Sequence, residues 1–205
     1  MLDTTIYTSP KEYYEVTDEF VNGFFEEHRY LSNFHICSNH FRYMGRSWIT
    51  SEHAYMWGKL PLEYAYSPKF GDALYREVFA MTPAQVKRWG QTCPLREDWG
   101  RVKVSVMENI VREKFFRNPD ISEKLIETGT RELREVNHWG DDFWGVDINS
   151  FYSQLYDARV ENPDHKGSPI QARDARGRGE NHLGNALMKA RKALLFTEKL
   201  KILEE

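Results

Sequence analysis

The sequence predicts a mainly helical single domain with a small β hairpin and one insertion. Three observations carry that expectation. Apolar residues recur at helical spacing, as Val104, Met107, Val111 and Phe115, and again as Leu187, Ala190 and Leu194. A strong helix start stands at Thr82-Pro83-Ala84-Gln85, with Thr82 as cap, Pro83 first in the helix and Gln85 placed for a capping box. One short segment reads as paired strands: Phe41, Tyr43, Arg46 and Trp48 flank Met44-Gly45.

In chain order, residues 1 to about 20 are polar and aromatic with weak periodicity, and no element is assigned there. Gly23 to Phe34 reads as an extended or looped entry. The hairpin follows, and a first helix begins near Ser51, whose hydroxyl can cap the free amides. The helix from Thr82 stops near Gly90. The next covers residues 99–117, and Asn118-Pro119 ends it and caps a further helix running to about Gly129. A long final helix covers residues 183–197. Between Gly145 and Gly179 the pattern breaks, and Asn162-Pro163-Asp164-His165-Lys166-Gly167-Ser168-Pro169 is rich in turn formers. Residues of about 147–178 therefore read as an insertion or long loop, holding a hairpin or a lid, within a core of about 20–197.

Composition narrows the function classes. With 205 residues, 40% hydrophobic and 14% aromatic, the chain can bury a sizeable core. A formal charge of -3 supplies no global basic field, so binding driven by nucleic-acid phosphates is disfavoured, although a local positive groove is compatible. Cys37 and Cys93 match no metal-ligand spacing, and His28, His35, His40 and His53 fit no zinc pattern, so no metal is expected. No Gly-x-Ser-x-Gly elbow occurs. The N-terminus lacks a signal pattern, and no apolar run reaches the roughly 18 residues of a membrane span. The expectation is a soluble, cytoplasmic protein without a membrane partner.

The segment Thr50-Ser51-Glu52-His53-Ala54-Tyr55-Met56-Trp57-Gly58-Lys59 is the most informative. On a helix, Glu52 and Lys59 lie nearly two turns apart on one face, roughly 10 Å along the axis. That face carries an acid, a thioether and an amine bordered by Tyr55 and Trp57, which suits a polar ligand with a flat ring. His53 reads as a packed or hydrogen-bonded residue.

Several motifs stand in order: Leu31-Ser32-Asn33-Phe34; Ser51-Glu52-His53-Ala54-Tyr55 with Lys59; Asp98-Trp99 before Val102-Lys103 and Met107; Lys114-Phe115 and Asn118-Pro119; Thr128-Gly129 with Leu133 and Glu135; Asp141-Asp142-Phe143-Trp144-Gly145; and Asn181-His182-Leu183-Gly184-Asn185-Ala186-Leu187-Met188 with Arg191. The set resembles the NADAR family, also called YbiA-like, over most of residues 20–195. The resemblance implies a mainly helical, metal-free and cofactor-free N-glycosidase. Substrates described for the family are phosphorylated ribosylamino-pyrimidine intermediates of riboflavin synthesis and ADP-ribose attached to guanine. The implied partner is thus a small nucleotide or ADP-ribosylated compound, with nucleic acid involved if the guanine lies in DNA. The chain departs from the family pattern in the long segment after Gly145, and in Met56 where Gln is common.

The resemblance assigns roles to particular residues. Breaking an N-glycosidic bond builds positive charge on the sugar, so a carboxylate is needed near the anomeric carbon and a proton donor near the base. Glu52 is the candidate carboxylate, whose alternative task is to stabilise its helix N-terminus. Lys59 is a candidate to bind phosphate, to hold a developing anion or to form a Schiff base; the alternative is a solvated lysine. Asp141 is the second candidate carboxylate, and Asp142 a solvated neighbour. Trp99 and Trp144 are candidate plates for a flat base; one of them is expected to be core, and Trp99 is favoured as the contact because Asp98 makes its surroundings polar. Asn33 is a candidate for hydrogen bonds to a ribose or base edge. Asn181 and Gly184 open the last helix after Arg173, Arg176 and Arg178, a candidate diphosphate site with Arg178 nearest. A non-catalytic module binding ADP-ribose would use the same residues.

Overall fold

The computed structural model describes residues 7–9, 12–147 and 179–204. The predicted insertion lies outside the described residues apart from Asp147, and so does Arg178. The chain divides into two compact units, one within residues 1–29 and 130–188, the other within 30–129 and 189–205. Helices dominate, as the sequence predicts, and the described residues hold several small sheets rather than the single hairpin expected.

The first unit contains the β structure that periodicity does not reveal. Strands β1 (Tyr7–Ser9), β2 (Glu12–Val16) and β3 (Phe20–Asn22) form an antiparallel meander, and β6 (Glu132–Arg134) joins β3 in parallel. The register places Phe20 opposite Glu132 and Val21 opposite Leu133. This corrects the expectation that residues 1–20 hold no element. Strands of three to five residues are too short for alternation to show. Strands β7 (Val136–Asn137) and β8 (Val146–Asp147) make a second, parallel pair. Phe20, Val21, Phe24, Leu133, Leu183 and Leu187 are buried.

The second unit carries the predicted hairpin. Strands β4 (Phe41–Tyr43) and β5 (Arg46–Trp48) pair Phe41 with Trp48 and Tyr43 with Arg46. Met44 and Gly45 have φ of 48° and 72°, the left-handed pair that a two-residue hairpin turn requires. Six helices follow: α1 (Ser51–Gly58), α2 (Leu62–Ala65), α3 (Gly71–Ala80), α4 (Pro83–Trp89), α5 (Trp99–Arg117) and α6 (Pro119–Glu127). The capping box at Thr82 and Gln85 is present on both sides, and Gly90 ends α4. Helices α2 and α3 carry no side-chain cap, so residues 62–80 give no start signal in the sequence. The last helix, α7 (His182–Glu204), begins in the first unit and continues into the second. Helix α1 packs against both α4 and α5. Ile110, Val111 and Phe115 of α5 are fully or almost fully buried.

Candidate active site

Helix α1 is short, and every one of its eight residues is buried. An ordinary surface helix hides one stripe and exposes the other. This one places Glu52 at 5% exposure in its first turn. The cap is Thr50, not Ser51 as the sequence suggested: the extended backbone of Thr50 (φ -139°, ψ 153°) lets its hydroxyl accept the His53 amide at 3.2 Å. The same hydroxyl meets His53 Nδ1 at 2.7 Å, and His53 Nε2 lies 2.9 Å from the Met81 carbonyl. The Met81 carbonyl can only accept, so Nε2 donates to it, and in the neutral imidazole Nδ1 then accepts from the Thr50 hydroxyl. Burial pushes its pKa down. His53 is thus the packed residue the sequence suggested, and it locks the turn that carries Glu52.

Asn33 stands against that turn. Its carbonyl accepts the Glu52 amide at 3.0 Å. Its side chain is buried, and Asn33 Oδ1 and the neighbouring Ser51 Oγ have no hydrogen-bond partner among the described residues. Unsatisfied buried oxygens cost about 1–3 kcal/mol each, which a ligand donor would recover. Both oxygens belong to residues at the first turn of α1, where Glu52 is buried.

Lys59 closes the other end of α1. It is the C-cap residue, with a right-handed helical backbone (φ -72°, ψ -24°). Its ammonium donates to the Gly90 carbonyl, and the Met56 side chain rests against Gly90. Tyr55 lies between the two charged residues in sequence and packs on Trp99, with ring centroids 5.0 Å apart and planes tilted by 54°. Trp99 keeps 9% exposure, so little of its surface is left for a base. Sequence reasoning missed Arg96. Its amide donates to the Lys59 carbonyl at 2.8 Å, and its guanidinium grips Asp98 with bonds of 2.5 and 3.0 Å. Arg96 holds the Asp98 carboxyl below the usual carboxylate range. The signal was the Arg-x-Asp spacing just before α5.

The remaining candidates lie in the first unit. Asp141 Oδ1 accepts the Trp144 amide at 2.9 Å, and Asn137 brackets the same turn by binding the Asp141 amide and carbonyl. Asp142 is exposed. Trp144 packs edgewise on Phe143 and near His182. Asn181, at φ 50°, donates to the Leu133 carbonyl at 2.8 Å and accepts the Glu135 amide at 3.2 Å. Gly184 faces the same carbonyl so closely that a Cβ would collide with it. The amide of Asn181 is therefore committed to holding α7 on β6, and Gly184 is the gap that lets them meet. The sequence offers both as ligand contacts; the structure shows in addition a packing task for each.

A family model for the NADAR domain matches residues 13–195. The chain belongs to the NADAR family. Among curated NADAR relatives, a riboflavin biosynthesis protein of Vibrio vulnificus is 34% identical over 148 residues, covering 68% of this chain and 37% of that protein. The chain thus matches little more than a third of that relative's length. The N-glycosidase YbiA of Escherichia coli is 30% identical over 125 residues, covering 57% of this chain and 72% of YbiA. The NMR structure of Escherichia coli YbiA superposes with a TM-score of 0.60 at 25% identity, covering 90% of this chain and 89% of that one. The architecture described above is therefore the YbiA-like fold. No helix among the described residues is long and apolar enough to cross a membrane.

Proposed function

We propose that this NADAR protein is an N-glycosidase that hydrolyses the bond between a ribose and a nitrogenous base in a nucleotide-like substrate. The observation that carries the reading is Glu52: a carboxylate kept almost out of water, at the head of a wholly buried helix, beside two buried oxygens without a partner among the described residues. Burying a carboxylate is costly, and core packing does not require it. The names of its relatives, N-glycosidase and riboflavin biosynthesis protein, agree with this chemistry.

In the reaction the bond from the anomeric carbon to the base nitrogen breaks, and water adds to that carbon. Glu52 stabilises the positive charge that develops on the sugar, or takes the proton from the attacking water. The departing base gains a proton at its nitrogen. Lys59 supplies positive charge at the far end of the same helix, suited to a phosphate or an anionic leaving group. Asn33 Oδ1 accepts from a ribose hydroxyl or an amino group of the base. The substrates proposed are a phosphorylated ribosylamino-pyrimidine and ADP-ribose on guanine.

The test is release of base or sugar from both compounds by the wild-type chain and its variants. Glu52→Gln should lose about 10²–10⁴ in kcat, while Lys59→Met should raise KM. Wild-type binding without turnover of either compound would replace the enzyme with a binding module.

A further inference from the structure

We propose that Lys114 is a positioning residue for the Glu52 site, holding the Tyr30–Asn33 segment that in turn holds the first turn of α1. The functional part of this inference rests on the N-glycosidase reading; the geometric part does not.

Lys114 lies on α5 with 1% exposure, among the most buried side chains of the second unit. Its ammonium donates to the Tyr30 carbonyl at 2.6 Å and to the Ser32 carbonyl at 3.0 Å. Among the described residues it forms no ion pair. One residue after Ser32 comes Asn33, whose carbonyl accepts the Glu52 amide. The connection is therefore short: ammonium, two backbone carbonyls, Asn33, Glu52.

A second contact fixes the far end of the same segment. Asn118, one helical turn after Lys114, donates to the Lys114 carbonyl at 2.7 Å and accepts the Asn39 amide at 2.7 Å. Tyr30 also donates its hydroxyl to the Lys124 carbonyl at 2.9 Å. Residues 30–39 are thus pinned to the α5–α6 corner by polar bonds rather than by apolar packing alone.

An apolar side chain would fill the space under this segment without burying a charge. What only a donor supplies is the fixed spacing of two carbonyls two residues apart, through charge-assisted bonds. Burial lowers the Lys114 pKa to about 8, which leaves the ammonium protonated in neutral solution. The loop it holds carries Asn33 Oδ1, a buried oxygen without a hydrogen-bond partner among the described residues.

The test is amide hydrogen exchange on the full chain, read at Glu52 and, as a reference, at Val86, whose amide bonds Thr82 in α4. Lys114→Met should speed exchange at Glu52 by about tenfold more than at Val86, and lower kcat by about tenfold with KM within about threefold. Lys114→Gln, which keeps a neutral donor, is the second variant if the first fails to fold; it should show the same selectivity, about threefold. Unchanged protection at Glu52, equal acceleration at both amides, or selective acceleration with unchanged kcat would overturn the proposal. If wild type turns over neither substrate, the N-glycosidase reading fails, and the exchange ratio alone decides whether Lys114 holds residue 52.

Discussion

Replacing Thr50 by Val tests how the first turn of α1 is held. The side chains have nearly the same volume, so the change removes a hydroxyl and little else. That hydroxyl caps the helix by accepting the His53 amide at 3.2 Å, a role worth about 0.5–2 kcal/mol. It also donates to His53 Nδ1 at 2.7 Å, inside a site where Thr50 and His53 both have zero exposure. Leaving that ring nitrogen unsatisfied costs a further 1–3 kcal/mol or so. The expected destabilisation is therefore about 2–4 kcal/mol. For a chain of this size it corresponds to a fall in Tm of about 5–12 °C. Calorimetric melts of wild type, Thr50→Val and Thr50→Ser measure it. Thr50→Ser keeps the hydroxyl and should retain most of the stability. A Val variant melting within about 1 °C of wild type would refute the claim that this hydroxyl anchors the turn.

Two further predictions concern stability. Gly184→Ala would push a methyl into the Leu133 carbonyl and within 2.5 and 2.6 Å of the Asn181 amide atoms, so urea denaturation should show a loss of about 2–4 kcal/mol; a neutral result would mean that α7 and β6 are not in contact there. Lys114 gives a pH signature. Its pKa falls from 10.5 in the unfolded chain to about 8 in the fold, so between those values the unfolded chain binds the extra proton and stability rises with pH. Wild type should gain about 2–3 kcal/mol relative to Lys114→Met between pH 7.5 and pH 10.5, and lose it again as pH falls. Parallel curves for the two proteins would show that Lys114 is not buried as a cation.

Local signals made much of the second unit legible. The capping box of α4, the hairpin turn and the Asn118-Pro119 break act over a few residues, and the structure places each where the sequence did. One detail differs: the Asn118 side chain does not cap α6 but bridges Lys114 and Asn39. The four-stranded sheet was not legible, because its parallel pair joins Phe20 to Glu132 and neither strand exceeds three residues. The helix carrying Glu52 was readable because its start lies just after the hairpin; it runs from Ser51 to Gly58, and Lys59 caps its end. The packing of Asn181 and Gly184 was not legible, because nothing local shows that the Leu133 carbonyl lies against them. Lys114 could have been found: it continues the buried stripe of Met107, Ile110 and Val111, where a lysine is out of place.

The proposed chemistry requires a sugar to arrive at residue 52. A crystal structure of Glu52→Gln with ADP-ribosylated guanosine or the ribosylamino-pyrimidine phosphate measures that directly. The account predicts the anomeric carbon about 3–3.5 Å from the residue 52 side chain or from a water bound to it, with a polar group of the ligand on Asn33 Oδ1. A ligand seated elsewhere, with residue 52 still enclosed by protein alone, would contradict it.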